Sequence, residues 1–335
     1  MKHKIITFGE LMLRLSPDNN ERFTQAHSYE AVYGGGEANT AVSLANFNVD
    51  TRYVTKLPNH TIGQSAVNSL RQYGVDVSRI VRGGDQIGIY FLEKKTSQRP
   101  TNVIYNRNGS AFALATKEDF DWNSIFEGAT WFHFSGITPA ISDNMAEITI
   151  EACKEAKKRN ITVSCDLNYR SKLWSSEKAN KVMSEVCKYV DICIANEDDA
   201  VGIFGMDASK SDKEKNAYIA EELTKMFPNF KMVASVWRTE TSITTFKLQS
   251  MIYTDGKAYY SQEFFMNILD YIGAGDAYCA GIIYSLINGF ELLCITACTH
   301  NSITKVIYSH CRHTKRIYPE IKDSTVYKLR LCIHK

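Results

Sequence analysis

Short β-branched or aromatic runs alternate with longer helical patterns of apolar and polar positions through most of the chain. The runs Ile5 to Phe8, Thr51 to Thr55, Trp131 to Phe134, Ile161 to Cys165, Asp191 to Ala195 and Lys231 to Val236 read as strands. Between them the pattern predicts helices near residues 37 to 47, 62 to 73, 143 to 158, 176 to 188 and 212 to 226. Strands alternating with helices imply an α/β fold, with a central, mostly parallel sheet flanked by helices.

Two segments break that rhythm. Gln86 to Glu93 and Thr101 to Arg107 read as strands joined by polar residues with no helix between them, so they are expected to form a hairpin apart from the main sheet. Residues two apart on a strand share a face, which puts Tyr105 and Arg107 on the same side. An aromatic and a cation on one face of a β-flap suit a lid over a polar ligand. The stretch from Asp207 to Lys215 is short and charged, and no internal repeat is present. The expectation is one main domain over residues 1–293, with lid strands within about 11–33 and 86–112.

Composition narrows the function classes. A chain of 335 residues with 44% hydrophobic and 23% charged residues can bury a large core. Its 39 basic and 37 acidic residues leave a net charge of +2, too balanced for a chain-wide field directed at nucleic acid or a membrane surface. An anionic ligand must therefore be met locally. The N-terminus reaches Glu10 and Arg14 before a signal-like apolar region develops, and no apolar run is long enough to span a bilayer. A soluble, cytoplasmic protein is expected. The nine cysteines form no repeated framework, and Cys165 and Cys193 lie in apolar runs, as buried free thiols do.

The chemistry-bearing motif is Asp270-Tyr271-Ile272-Gly273-Ala274-Gly275-Asp276-Ala277-Tyr278, followed by the apolar helical run Ala280 to Ile287. Glycines at a helix start let backbone N–H groups converge where unpaired donors and the helix dipole favour an anion. Phosphoryl transfer needs charge stabilisation and a group to take the hydroxyl proton. Gly273, Ala274 and Gly275 fit the first need and Asp276 the second. Gly-Ala-Gly-Asp alone is also what a tight turn with an N-cap aspartate looks like. A second cluster, Val32-Tyr33-Gly34-Gly35-Gly36-Glu37-Ala38-Asn39-Thr40-Ala41, opens another helix. Its glycines permit close backbone approach, and Asn39 offers donor and acceptor to a hydroxyl-rich molecule.

Together these clusters resemble the two signatures of the ribokinase-like (PfkB) carbohydrate kinase family, Gly34 to Phe47 the N-terminal one and Asp270 to Gly281 the C-terminal one. The resemblance runs from about residue 4 to about residue 290. It implies a ribokinase-like α/β domain with a β-lid, using ATP and Mg2+ to phosphorylate a sugar hydroxyl. Asp276 would be the general base and Gly273 to Gly275 the anion hole. The family's N-x-x-E element, tied to Mg2+ and phosphate, is matched by Asn196-Glu197-Asp198-Asp199, with Asp199 where Glu is usual and acting on the metal through water. Asn196 could equally be a polar cap at a strand end. Arg238, with Thr239 and Ser242, lies where relatives carry a glycine-bearing ATP loop. A monovalent cation is a further candidate cofactor, and self-association through lids a candidate arrangement.

Within the family the chain is most similar to 2-keto-3-deoxygluconate kinases, through Gly9 to Pro17, Gly88 to Tyr90, Tyr105 to Ala111, Phe134 to Ile137 and Asp166 to Arg170. That similarity implies substrate contacts from Gly34, Gly35, Asn39, Tyr90, Tyr105, Arg107 and Arg170, besides Asp276. A sugar acid carries a carboxylate, and arginine is the side chain best shaped to hold one. Surface ion pairing is the alternative for each arginine. Other readings are a kinase of a neutral sugar and a catalytically weakened sugar- or nucleotide-binding relative.

After about Leu293 the resemblance stops. Four of nine cysteines and four of eight histidines fall in residues 294–335. Cys298, His300, Cys311 and His313 could hold zinc, though their spacing fits no standard finger. The favoured expectation is an atypical tail not native to the family, arising from a shifted reading frame or a sequence error.

Overall fold

In the computed structural model, which describes residues 3–96, 99–207, 212–240, 245–267 and 272–290, the chain divides into two compact units, Met1–Val190 and Asp191–Lys335. The first begins with β1 (Lys4–Phe8), β2 (Met12–Pro17), β3 (Tyr29–Gly34), α1 (Gly36–Asn46), β4 (Asp50–Val54), β5 (Lys56–Leu57) and α2 (Thr61–Arg71). It continues through β6 (Val81–Arg82), β7 (Ile89–Glu93), β8 (Asn102–Asn106), α3 (Trp122–Ile125) and β9 (Trp131–Ser135). It ends with α4 (Ile137–Ala140), α5 (Asp143–Lys158), β10 (Thr162–Asp166) and α6 (Ser176–Val186).

β4, β1, β9 and β10 pair in that order, all parallel. Every residue of β9 is buried and so are the last four of β1 and of β10. Such continuous burial is what parallel strands covered on both faces require. Phe8 anchors the core, meeting Phe112, Phe120 and Trp122 edge-on at 5.2–5.4 Å between ring centroids. The helices lie where the sequence pattern puts them. α5 starts at Ser142, whose Oγ accepts the Met145 N–H at 3.2 Å, and buries Met145, Ile148, Ala152 and Ala156 on one stripe. Lys157 and Lys158 complete its last turn, where cations complement the helix dipole.

The lid is a separate four-stranded sheet in the order β3-β2-β7-β8. β7 and β8 form the expected antiparallel hairpin, with Tyr90 opposite Tyr105, and β2 and β3 come from the 11–33 region. β2 joins them by pairing in parallel with β7.

The second unit contains β11 (Ile192–Ile194), α7 (Glu197–Phe204), α8 (Asp212–Met226), β12 (Met232–Glu240), β13 (Thr245–Thr254), β14 (Lys257–Tyr260), β15 (Phe264–Asn267) and α9 (Ala274–Ile287). β11 and β12 are parallel, whereas β13 pairs antiparallel with β12, β14 and β15. The hydrophobic pattern ends the strand after Lys231 at Val236, but β12 runs to Glu240, and the three strands after it are unanticipated. Asp255 and Gly256, with φ of 50° and 74°, form the two-residue turn between β13 and β14. Asp-Gly in this position is a recognised hairpin signal. α9 is buried almost all round, and the Tyr278 hydroxyl ties it to β12 by donating to the Ser235 carbonyl at 3.0 Å.

The cysteines at 153, 165, 187, 193 and 279 are buried free thiols. Among the described residues no helix is long and apolar enough to cross a membrane. The zinc candidates Cys298, His300, Cys311 and His313, and the tail itself, lie outside the described residues, as do Thr241 and Ser242.

Candidate functional site

The first unit holds a cavity of about 660 Å3. Glu10, between β1 and β2, lies in its wall with Gly35, Gly36 and Glu37 at the start of α1. The lid contributes Val103 and Tyr105, with Arg107 and Asn108 just beyond β8, and the segment after β10 contributes Tyr169 to Leu173. Gly35 and Tyr105, 70 residues apart in sequence, thus meet at one cavity.

Gly35 explains part of the glycine requirement. A Cβ there would stand 2.1 Å from the Glu10 backbone carbonyl oxygen. Its φ of −176° is ordinary extended backbone, so the demand is for room rather than for an unusual torsion. Gly34 differs, since a Cβ there would reach only ordinary contact with Asn39 Oδ1 at 3.6 Å and Tyr90 Oη at 3.9 Å. Gly34, Asn39 and Tyr90 are therefore neighbours. Asn39 is buried on α1, and the Tyr90 ring lies 5.8 Å from that of Tyr105 across the lid hairpin.

Arg107 is not an isolated cation. Its Nε donates to Glu10 Oε2 at 2.7 Å and its Nη2 donates to the same oxygen, while Ser110 Oγ donates to Glu10 Oε1 at 2.5 Å. The Arg107 and Glu10 side chains are only 7% and 2% exposed, so the pair lies away from bulk water. Charge-assisted hydrogen bonds are strong there, and loss of either partner strands a buried charge. Tyr105 lies beside it, the guanidinium carbon being 5.9 Å from the ring centroid. The expected common side of Tyr105 and Arg107 is thus the cavity side.

Arg170 and Lys172 differ from Arg107. Both line the cavity, and neither side chain has an ion pair or hydrogen bond among the described residues. With Glu10 occupied by Arg107, these two are the cavity's cations without an ion-pair partner among the described residues.

Glu37 is buried with its Oε1 accepting from the Ser135 N–H at 2.9 Å, Ser135 Oγ at 2.7 Å and Thr138 Oγ1 at 2.8 Å. Burial holds its carboxyl above the ordinary glutamate value of 4.5 despite these donors. The folded protein consequently binds this proton more tightly than the unfolded chain does. The stability it contributes is full below pH 4.5 and is lost as pH rises through the raised value. Urea unfolding across pH should show the wild-type stability, relative to Glu37→Gln, declining as pH rises above 4.5; a pH-independent difference would refute this.

In the second unit, Gly273 is the N-cap of α9 with φ 83°, a left-handed torsion that glycine adopts without a Cβ penalty. Ala274 and Gly275 begin the helix, and Asp276 sits in its first turn, half-buried. A Cβ at Gly275 would meet no atom within 4 Å, which leaves the backbone there open to a ligand. Asp270 and Tyr271 of the signature lie outside the described residues. Asn196 caps α7 in a reciprocal capping box with Asp199, whose Oδ2 accepts the Asn196 N–H at 2.9 Å. Arg238 is exposed on β12, 5.6 Å above the Phe246 ring. Among the described residues no cluster of three or more His, Cys, Asp or Glu side chains could hold a metal ion.

Sequence reasoning left Glu10, Glu37 and Lys172 without a role. Glu10 and Glu37 stand inside the very motifs that carry the resemblance, but nothing local announces burial of a carboxylate. One signal was present: an arginine on a lid strand needs a carboxylate partner if it is to be buried.

The sequence profile described as pfkB family carbohydrate kinase matches residues 2–298, slightly past Leu293. The 2-dehydro-3-deoxygalactonokinase of Haloferax volcanii is 33% identical over 86% of this chain and 86% of its own length. The 5-dehydro-2-deoxygluconokinase of Clostridium perfringens is 26% identical over 92% of this chain and 88% of its own. The crystal structure of 2-dehydro-3-deoxygluconokinase from Thermotoga maritima superposes with a TM-score of 0.87 at 43% identity, covering 91% of this chain and 93% of that one.

Proposed function

Because the chain belongs to the pfkB family of carbohydrate kinases, we propose that it transfers the terminal phosphoryl group of ATP to the terminal hydroxyl of a 2-keto-3-deoxy sugar acid. With 2-keto-3-deoxygluconate the product would be the 6-phosphate. The observation that carries the choice of an acid is the cavity of the first unit, lined by Arg170 and Lys172, neither of which has an ion-pair partner among the described residues. The names of the relatives in Haloferax, Clostridium and Thermotoga, all kinases of sugar acids, support it.

In this reading the sugar occupies the cavity, with Gly34, Gly35, Asn39, Tyr90 and Tyr105 around its hydroxyls and Arg107 and Arg170 on its polar ends. Asp276 takes the proton of the acceptor hydroxyl as its oxygen bonds to the γ-phosphorus. The bond from that phosphorus to the bridging oxygen of ADP breaks, and ADP leaves with the electron pair. The backbone of Gly273, Ala274 and Gly275 at the α9 N-terminus stabilises the charge on the transferring group. Asn196 and Arg238 belong to the ATP side. Mg2+ suits a site without an all-protein cage, since it keeps several waters and is held largely by substrate phosphates. Asp199, engaged in the α7 cap, would act on it through water.

A neutral-sugar kinase is the second reading, favoured by the neutralisation of Arg107 by Glu10. ADP release measured with the two deoxy sugar acids, gluconate- and galactonate-derived, against fructose and ribose separates the two. Arg170→Ala is expected to raise KM for the acid by about 10- to 100-fold, the loss of one charge-assisted contact, with little effect on any neutral sugar turnover. Equal kcat/KM for a neutral sugar would sink the acid assignment.

A further inference from the structure

Three cations line the cavity, and they are not equivalent. Arg170 and Lys172 are unopposed, whereas Arg107 is held at two of its nitrogens by a carboxylate that is itself fixed by Ser110. The Arg107 Nη1 has no partner among the described residues, and Arg107 lines the cavity. We infer that Glu10 is a positioning residue for the kinase reaction: it orients Arg107 so that the Nη1 end faces the bound sugar acid. By cancelling the charge of Arg107, it also leaves Arg170 and Lys172 to supply the net attraction for the carboxylate. This rests on the sugar-acid reading above.

The physical case is one of preorganisation. A free arginine carries several rotatable bonds, and immobilising such a side chain when a ligand binds weakens the binding. Glu10 removes that penalty in advance, because the guanidinium is already fixed through two nitrogens before any sugar arrives. Glu10 is held as firmly as the group it holds. Its Oε1 accepts from Ser110, and its backbone carbonyl lies against Gly35 so closely that no Cβ fits between them. The same residue therefore registers the glycine cluster and the lid-side cation against each other. The opposing possibility is that removing the negative charge would draw an anion in more tightly. Charge gain is a nondirectional effect, while loss of orientation acts on the contact itself, so the second effect should prevail.

The test is a double-substitution cycle on the full chain, using ADP release with 2-keto-3-deoxygluconate. Glu10→Gln should raise KM by about tenfold with kcat changed less than about threefold, as for an interaction used in binding rather than chemistry. Arg107→Met should raise KM at least as much, and the double variant should match Arg107→Met alone, because Glu10 acts only through Arg107. Glu10→Asp, which keeps the charge on a shorter arm, should fall between wild type and Glu10→Gln. An unchanged or lowered KM in Glu10→Gln, or effects that multiply in the double variant, overturns the inference. If Glu10→Gln does not fold, Ser110→Ala removes one anchor of Glu10 and should raise KM about threefold; no change there overturns it equally. A wild-type protein that turns over neutral sugars but no sugar acid overturns the functional reading and this inference together. An active wild type without coupling overturns this inference alone.

Discussion

Asp276→Asn is expected to lower kcat about 10³-fold, within the range that a positioned general base contributes, with KM for ATP and sugar within about threefold. Asparagine keeps the shape of the side chain and removes its ability to accept the hydroxyl proton. Asp276 also lies in the first turn of α9, where a negative charge stabilises the helix by about 0.3–1 kcal/mol. That loss is too small to unfold a helix buried along nearly its whole length and tied to β12 through Tyr278. Circular dichroism should thus show a normally folded variant that binds both substrates and releases almost no ADP. Activity within tenfold of wild type would remove Asp276 from the role of base and leave it a first-turn carboxylate of α9, since Gly273 and not Asp276 is the N-cap.

Gly35→Ala is expected to reduce kcat/KM about 10²-fold, the scale of a displacement near 1 Å at a positioned group. The added methyl would stand 2.1 Å from the Glu10 carbonyl oxygen, a backbone atom with no rotamer to escape into. Either the start of α1 or the segment around Glu10 must shift, and both line the cavity. Overpacking of this kind costs about 1–3 kcal/mol, so a lowered melting temperature should accompany the loss. Gly34→Ala is the control, since its methyl meets nothing closer than 3.6 Å within the unit. It should melt like wild type, and any loss of activity in it reads contact with the ligand itself. Equal activity of Gly35→Ala and wild type would show that the close approach at Glu10 does not govern the site.

Much of this architecture was legible in the sequence wherever periodicity and end signals agree. α5 carries a serine cap, an apolar stripe and terminal lysines, and the structure places it over the predicted span, Asp143–Lys158. β9 and β10 read as strands because short β-branched or aromatic runs suit a pleated, covered sheet. The second unit was harder. β13, β14 and β15 form an antiparallel extension whose sequences mix lysine, glutamine and serine with aromatics, so alternation is weak and only Asp255-Gly256 marks a turn. For the cavity, the resemblance pointed to Arg107, Arg170, Tyr105 and the glycines, all local features of a motif. It was silent on which cation is neutralised. That depends on Glu10, which meets Arg107 from 97 positions away, and sequence spacing alone carries no information about such a pairing.

The joint between Glu10 and Arg107 has a mechanical consequence for how cargo enters and leaves. Parting this buried pair at the foot of the flap breaks its charge-assisted hydrogen bonds and is unfavourable. A passage for cargo that keeps that rivet fastened avoids this cost. The flap would bend along β7 and β8 above residue 107, with its tip sweeping aside and its root stationary.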